Sequence, residues 1–433
     1  MRPRSPMAET EDLKSFQCRF ESDRGHHYAN EMAYNVERVR KDFPSLNSGL
    51  AFFDGPGGTQ TPHQVGDAIS AAITAPLSNR GVTTESEKNA DAIVGEFRSA
   101  VADLTGGKAG GVVYGRSWTQ LVYDFSRTIA KTWNAGDEII VTTLDHDSNV
   151  RPWIQAAQAR GVNVVWAKFD TETGELPVAT IEKLLTSKTK FVSVTGASNL
   201  LGTKLDLKAI GKAVHSAGAL FGVDGVHLTP HAVIDVKDIG ADLFGFSSYK
   251  MMGPHCGAMV ADPAFLETLN NDKLLPSTMV VPERFEFGTL PYEIMAGATA
   301  AINYTADLDS NPQSSRRERI IQSMSSLEEY EHQLFARMEA GLQAISGVKT
   351  YGDAKDRTPT IFFSVGSIEA AEVYKKLAAK KVNAPGSNFY ALEASRQLGL
   401  EDFGAVRAGL APYTTFEDVE RLIAGVAEIA RGA

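Results

Sequence analysis

The sequence predicts an α/β protein in which a mostly parallel sheet forms a large domain and a smaller α+β domain follows it. Between about residues 50 and 290, short β-rich apolar runs alternate with amphipathic segments. Such alternation is typical of a parallel sheet that is covered by helices on both faces. Beyond residue 310 the chain instead holds one long amphipathic stretch and a few isolated apolar runs, which indicates a second, smaller domain.

Six strands are predicted in the large domain. Each is a short run rich in β-branched, aromatic or small apolar residues, as expected for a strand that is buried on both faces. The runs are residues 111–115, 138–143, 163–167, 190–196, 219–225 and 242–248. Amphipathic segments lie between several of them, for example at residues 119–133 and 206–218, and are predicted to be helices.

The smaller domain is predicted to begin with a long helix. Apolar residues recur at helical spacing from residue 314 to about residue 345, and Asn311-Pro312 marks a break just before this stretch. The elements predicted after it are a strand at residues 360–365, a helix at 368–380, a strand-like run at 405–411 and a last helix. The last helix is indicated by Thr414 and Thr415, which are followed three residues later by Glu417 and Asp418 at capping-box spacing.

The domain boundaries follow from these changes in pattern. Residues 1–31 are polar and lack periodicity, and we interpret them as a disordered extension. Residues 50–295 are predicted to form the large domain. Residues 32–49 are expected to fold back onto residues 310–433 and to complete the smaller domain.

Composition and charge exclude several functional classes. The net charge of −10 argues against a nucleic-acid partner, which requires a basic surface. The only two cysteines, Cys18 and Cys256, rule out a disulfide framework and a thiolate zinc site. No apolar run is long enough to span a membrane, and the N-terminus lacks the apolar core of a secretory signal. We therefore expect a cytoplasmic protein without a membrane or metal partner.

Five polar groups each follow a different predicted strand. They are Ser117-Trp118-Thr119, His146, Asn199, Asp224 with His227, and Ser247 with Lys250. Each group alone has an ordinary structural explanation, such as a helix N-cap, a turn aspartate or a solvated loop lysine. Because the carboxyl ends of parallel strands meet at one edge of a sheet, the five groups are expected to converge on one ligand site.

The residue types suggest what that site does. A desolvated lysine such as Lys250 is nucleophilic and forms imines. A carboxylate such as Asp224 can keep a pyridinium nitrogen protonated. The hydroxyls and free N–H groups at the start of the helix after Ser117 favour a phosphate. His146 is placed to stack on a planar ring, and Asn199 to donate a hydrogen bond to a ring oxygen.

In this order, the motifs resemble the class V aminotransferase group of fold-type I pyridoxal-phosphate enzymes, which contains cysteine desulfurases, selenocysteine lyases and isopenicillin N epimerase. The resemblance covers roughly residues 35–430 and makes the large domain the cofactor-binding domain. It is carried by RSWTQ (116–120), LDHDSN (144–149), VDGVH (223–227), SSYKMMGP (247–254), RFEFGTLPY (284–292) and VRAGLAPYTT (406–415).

The resemblance implies a role for each matching residue and a homodimer that acts on an amino acid. Lys250 would be the Schiff-base lysine, Asp224 the partner of the pyridine nitrogen, and His146 the stacking and proton-transferring histidine. The other implied roles are His227 near the ring hydroxyl, phosphate contacts from Ser117, Trp118 (by its backbone N–H), Thr119, Ser247 and Tyr249, Thr289 contributed across the dimer interface, and Arg407 as the grip for the substrate carboxylate.

The family pattern fails in one place. Cysteine desulfurases carry sulfur on a loop cysteine, but the corresponding residues 382–399 contain none, and the family's loop arginine is missing near Ala384. Asn388, with Phe389 and Tyr390, is expected to line the substrate pocket instead. We therefore expect lyase (elimination) or aminotransferase chemistry. Epimerisation, decarboxylation with carbon–carbon bond formation and a non-catalytic scaffold remain alternatives, and the absence of GxGxxG after a strand disfavours a dehydrogenase.

Overall fold

The computed structural model describes residues 34–309 and 314–432, so the extension predicted for residues 1–31 lies outside the described residues. The strands are β1 Ala51–Phe52, β2 Val112–Gly115, β3 Glu138–Thr142, β4 Asn163–Ala167, β5 Thr189–Thr195, β6 Leu220–Asp224, β7 Leu243–Ser247, β8 Gly257–Val260, β9 Val348–Tyr351, β10 Thr360–Val365, β11 Val382–Asn383, β12 Gly386–Ser387 and β13 Ala405–Gly409.

The α-helices connect these strands. They are α1 Val36–Arg40, α2 His63–Thr74, α3 Glu85–Thr105, α4 Trp118–Ala130, α5 Arg151–Arg160, α6 Val178–Glu182, α7 Leu207–Ser216, α8 Val236–Ile239, α9 Pro263–Thr268, α10 Tyr292–Ala306, α11 Arg316–Gln343, α12 Ala370–Ala379, α13 Leu392–Gln397 and α14 Phe416–Arg431. None of the helices in the described part of the chain is both long enough and apolar enough to cross a lipid bilayer.

A seven-stranded sheet forms the centre of the larger part. Its order is β2-β8-β7-β6-β5-β3-β4, and β8 is antiparallel to both of its neighbours while the other pairings are parallel. The predicted α/β fold with a mostly parallel sheet is confirmed, and all six predicted strands form within one or two residues of their expected ends. The sequence did not predict β8. It follows β7 through a connection too short for a crossover helix, so it must run back antiparallel.

Apolar side chains cover both faces of this sheet. Along β3, Ile140 packs in the same cluster as Ile210 of α7, whereas Ile139 and Val141 pack with Phe125 of α4 on the other face. Alternate residues of a strand point to opposite faces, so β3 is buried on both sides. This burial explains why the strands appear in the sequence as nearly continuous apolar runs.

A second, four-stranded sheet has the order β12-β13-β10-β9, and all its pairings are antiparallel. The long helix α11 and the last helix α14 contact each other beside this sheet. Both begin with a capping box, formed by Ser315 with Glu318 and by Thr415 with Asp418, so the predicted start of the last helix is confirmed. Near the N-terminus, β1 pairs in parallel with β11. The domain boundaries themselves stay a prediction.

Candidate active site

The polar ends of the central strands surround an open cavity of about 610 Å³, which continues into an inner pocket of about 60 Å³. This size is typical of sites for small molecules. Ten of the residues selected from the sequence line the inner pocket, namely Ser117, Trp118, Thr119, His146, Asn199, Asp224, His227, Ser247, Tyr249 and Lys250. Arg407 lines the outer cavity. The convergence expected from the strand ends is therefore present.

Lys250 lies in a single 3₁₀ turn directly after β7, and its side chain is buried. Burial lowers its pKa, and the positive charge of Arg407 lowers it further, while Asp224 acts in the opposite direction. A lysine with a lowered pKa is more often neutral and is therefore a better nucleophile at neutral pH. Lys250 lines both the outer cavity and the inner pocket, so it is positioned between them.

Asp224 is the last residue of β6 and is buried. Its Oδ1 accepts a hydrogen bond from the backbone N–H of Val226 at 2.9 Å, and its Oδ2 accepts one from Nε1 of Trp118 at 2.8 Å. Burial raises the pKa of Asp224, whereas these two bonds and the charge of Lys250 lower it. The sequence did not predict this indole contact, because the family resemblance implies only a phosphate contact from the backbone N–H of Trp118.

His146 follows β3 and presents a neutral ring to the cavity. Its Nδ1 accepts a hydrogen bond from the backbone N–H of Ser148 at 3.1 Å, which leaves Nε2 free. Burial lowers the pKa of His146 to about 3, with further contributions from Lys250 and Arg407. The ring stacks against Tyr390 with 5.5 Å between ring centroids. A neutral, flat imidazole can cover a planar ligand without adding charge to the site.

Two buried polar atoms at the inner pocket have no hydrogen-bond partner among the residues that the structure describes. His227 contacts the hydroxyls of Thr358 and Thr360 through Nε2, at 3.0 and 3.1 Å, while its Nδ1 has none. Asn199 donates from Nδ2 to the carbonyl of Phe389 at 3.0 Å, and its Oδ1 has none. Buried polar atoms are normally satisfied, so these two atoms indicate that a polar ligand completes the pocket.

The start of α4 provides an anion site at one side of the inner pocket. Ser117 caps the helix by accepting a hydrogen bond from the N–H of Gln120 at 3.1 Å. The N–H groups of Trp118 and Thr119 belong to the first turn and have no partner within the helix. Helix N-termini attract phosphate because free N–H groups and the helix dipole point at it. The buried Ser247 at the end of β7 lines the same pocket.

Arg407, in β13, is a buried cation that forms no direct ion pair with the described residues. Its Nη1 donates to the carbonyl of Asn199 at 2.8 Å, and its guanidinium carbon lies 3.8 Å from the ring centroid of Phe389. It forms no ion pair in residues 34–309 and 314–432, and its Nε has no hydrogen-bond partner. Burial lowers its pKa to about 9, although Asp54 acts to raise it. A buried charge that forms no direct ion pair is costly, so the site favours an anionic ligand here.

Two predicted residues do not reach the cavity in this chain. Thr289 lies exposed in the segment after Phe285 and does not line either pocket. The expectation that Asn388 lines the pocket is not met, because its Oδ1 accepts from the N–H of Tyr390 and its Nδ2 donates to the carbonyl of Asp402. These bonds close a local turn. Phe389 and Tyr390, which were expected together with Asn388, do line the cavity, and so does Ser387.

Comparison with known proteins agrees with this geometry. The family model described as aminotransferase class-V matches residues 51–422. An uncharacterised protein of Mycobacterium tuberculosis is 34% identical, over 92% of this chain and 100% of the relative. The aminotransferase-like protein FGM3 of Gibberella zeae is 30% identical, over 90% and 97%. The apo structure of cysteine desulfurase from Thermococcus onnurineus matches with a TM-score of 0.82 at 27% identity, over 92% of this chain and 98% of that one.

Proposed function

This chain belongs to the aminotransferase class-V family of pyridoxal-phosphate-dependent enzymes, and we propose that it acts on an L-amino acid by elimination or by amino-group transfer. The observation that carries the proposal is the presence, around one cavity, of a buried lysine, a buried carboxylate and an unpaired buried arginine. They are Lys250, Asp224 and Arg407. These groups can form an imine with the cofactor, keep its ring nitrogen protonated and bind the carboxylate of a substrate.

The inner pocket and the adjoining part of the outer cavity together carry the groups that pyridoxal phosphate requires. Lys250 would hold its aldehyde carbon, Asp224 its ring nitrogen, and the first turn of α4 with Ser247 and Tyr249 its phosphate. The unpartnered atoms of His227 and Asn199 would face its polar ring edge. His146 would cover the ring face. These assignments include both fully buried side-chain atoms that line the inner pocket without a partner in the described part of the chain.

When bound, the cofactor would supply an electron-poor ring that stabilises negative charge at the α carbon of the substrate. Arg407 binds the substrate carboxylate and thereby fixes which α-carbon bond faces the ring. Lys250 takes a proton from the α carbon and returns it, since its lowered pKa suits both steps near neutral pH. Asp224 keeps the ring nitrogen protonated, while the neutral His146 adds no competing charge.

A persulfide mechanism lacks a suitable cysteine nucleophile within residues 34–309 and 314–432. Residues 382–399 contain no cysteine. Cys256 is buried under the turn that carries Lys250, and burial raises the pKa of its thiol to about 12. The thiolate is the reactive form of cysteine, so a buried thiol with a raised pKa is a poor sulfur acceptor. We therefore favour elimination or amino-group transfer without an enzyme-bound persulfide.

The two reactions differ in what they consume. Elimination releases ammonia from a single amino acid, whereas amino-group transfer requires a keto acid as the second substrate. We propose to incubate the reconstituted protein with single L-amino acids, with and without a keto acid, and to measure ammonia and keto-acid products. Product formation in either arm supports the proposal. No product from any amino acid, despite bound cofactor, would contradict it.

The rate at which the apo-protein captures pyridoxal phosphate should rise with pH and level off above about 8. Only the neutral amine attacks the aldehyde, and burial lowers the pKa of Lys250 to about 8. Growth of the visible absorption band in a stopped-flow instrument measures this rate. An inflection near the ordinary lysine value of about 10.4, as expected of a model amine measured in parallel, would contradict a desolvated Lys250.

We also propose that the chain acts as a homodimer. Five large apolar side chains are exposed within residues 274–287, and Leu275 is 98% exposed. They are Leu274, Leu275, Met279, Val280 and Phe287. Exposed apolar side chains that cluster in this way commonly mark protein–protein contacts, and Phe287 stands two positions before Thr289, the residue expected to reach the partner's site. A monomeric mass by light scattering would contradict this assembly.

A further inference from the structure

We propose that Trp118 is a positioning residue that acts through Asp224, because its indole N–H fixes the carboxylate in the orientation that pairs with the cofactor's ring nitrogen. The inference rests on the proposed function, since it concerns how this chain holds that nitrogen. The role proposed here belongs to the indole side chain of Trp118. It is separate from the contact between the backbone N–H of Trp118 and the cofactor's phosphate, which the family resemblance implies.

The contact joins two elements that are far apart in the sequence. Nε1 of Trp118, at the start of α4, donates to Oδ2 of Asp224 at 2.8 Å, while the N–H of Val226 holds Oδ1 at 2.9 Å. Each carboxylate oxygen accepts about two hydrogen bonds, so both remain able to accept from a ring nitrogen. Trp118 is 5% exposed and Asp224 is 3% exposed, which leaves little room for water to replace the indole.

Two glycines make room for Trp118 at this place. Gly245 of β7 is the register partner of Asp224, and a Cβ at Gly245 would lie 1.8 Å from the indole carbon Cζ3. A Cβ at Gly257, on the neighbouring β8, would lie 2.8 Å from the backbone nitrogen of Trp118. The sheet therefore carries no side chain at Gly245, where the indole lies, or at Gly257, where α4 begins. The indole is thereby held against the sheet, within reach of the carboxylate.

The hydrogen bond also affects the charge of Asp224. Burial raises the pKa of this carboxyl, and the indole N–H is one of three groups that lower it, together with the N–H of Val226 and the charge of Lys250. Removing the indole donor raises the pKa further, so a larger fraction of Asp224 is protonated at neutral pH. A protonated carboxyl cannot stabilise a protonated ring nitrogen by charge.

The test compares two ligands that differ only at the ring nitrogen. Dissociation constants of pyridoxal phosphate and of its 1-deaza analogue, in which carbon replaces that nitrogen, are measured on apo-protein. Wild type should prefer pyridoxal phosphate by about tenfold or more, as expected for a charged hydrogen bond. In Trp118→Phe this preference should fall to about threefold or less, while binding of the deaza analogue stays within about threefold.

A purely structural role for Trp118 predicts a different result, because general damage to the pocket weakens both ligands equally and leaves their ratio unchanged. That outcome would overturn the inference. Trp133→Phe is the matched control, since Trp133 is a buried tryptophan of the same apolar cluster without a contact to Asp224. The ratio should not change in this variant.

Two outcomes distinguish failure of the role proposed for Trp118 from failure of the proposed function. If the wild-type protein captures neither ligand, the proposed function fails. If it captures pyridoxal phosphate but Trp118→Phe keeps the full preference, only the role of Trp118 fails. Should Trp118→Phe not fold, 3-benzothienylalanine at position 118 replaces the N–H by sulfur within the same bicyclic shape. The same loss of preference is then expected, and an unchanged ratio overturns the inference.

Discussion

Lys250→Ala is expected to fold normally, to lose covalent capture of pyridoxal phosphate and to lose about 10²–10⁴-fold in turnover, the usual effect of removing a general acid–base group. Both losses are expected because Lys250 lines the inner pocket and the outer cavity, and so can reach the cofactor and the substrate. Reduction of the reconstituted protein with borohydride, followed by peptide mass mapping, should place the cofactor on Lys250 in the wild type. The variant should carry none.

Lys204→Ala is the matched control for this experiment. Lys204 is also mostly buried, but it pairs with Glu328 and Asp356 and does not line the cavity. Its replacement should cost some stability and leave cofactor capture intact. Mapping of the wild-type adduct to another lysine, or wild-type turnover in Lys250→Ala, would show that the assignment of Lys250 is wrong.

Arg407→Met is expected to raise the KM for the amino-acid substrate by about 10–100-fold while the protein still captures the cofactor. A hydrogen bond to a charged group contributes about 1.5–3 kcal/mol, and about 1.4 kcal/mol corresponds to tenfold in affinity. Arg407 is buried, stacked on Phe389 and without a direct ion pair in the described part of the chain, so a substrate carboxylate would be its first directly paired anion.

A comparison with the decarboxylated substrate isolates this effect. Wild type should bind the amino acid more tightly than the amine that lacks its carboxylate, and Arg407→Met should lose that preference. Arg357→Met is the control, because Arg357 stacks on Phe335 and pairs with Glu339 outside the cavity. An unchanged KM in Arg407→Met would rule out the carboxylate role.

The sequence was sufficient to predict six of the seven strands of the central sheet, all except β8, and the convergence of polar residues at their ends. Buried parallel strands form nearly continuous apolar runs, and the geometry of a parallel sheet brings their carboxyl ends to one edge. Ser117, His146, Asp224 and Lys250 could therefore be assigned to one site although more than 130 residues separate the first from the last. Each belongs to a short motif whose place relative to a strand is readable.

Side-chain directions and loop conformations could not be predicted in the same way. The sequence places Trp118 at a helix start, but only packing against Gly245 directs its indole towards Asp224. Asn388 lies next to two residues with positive φ, Phe389 at 51° and Tyr390 at 59°. Such left-handed residues are uncommon outside glycine, and the turn they form decides which neighbours face the cavity.

The central claim, that this chain presents pyridoxal phosphate to an amino acid, is tested most directly by the absorption spectrum of the reconstituted protein during addition of single L-amino acids. We expect a visible band on cofactor binding and a shift of that band with at least one amino acid, which would also identify the substrate class. A protein that forms no band with pyridoxal phosphate, or whose band no amino acid alters, would contradict the claim.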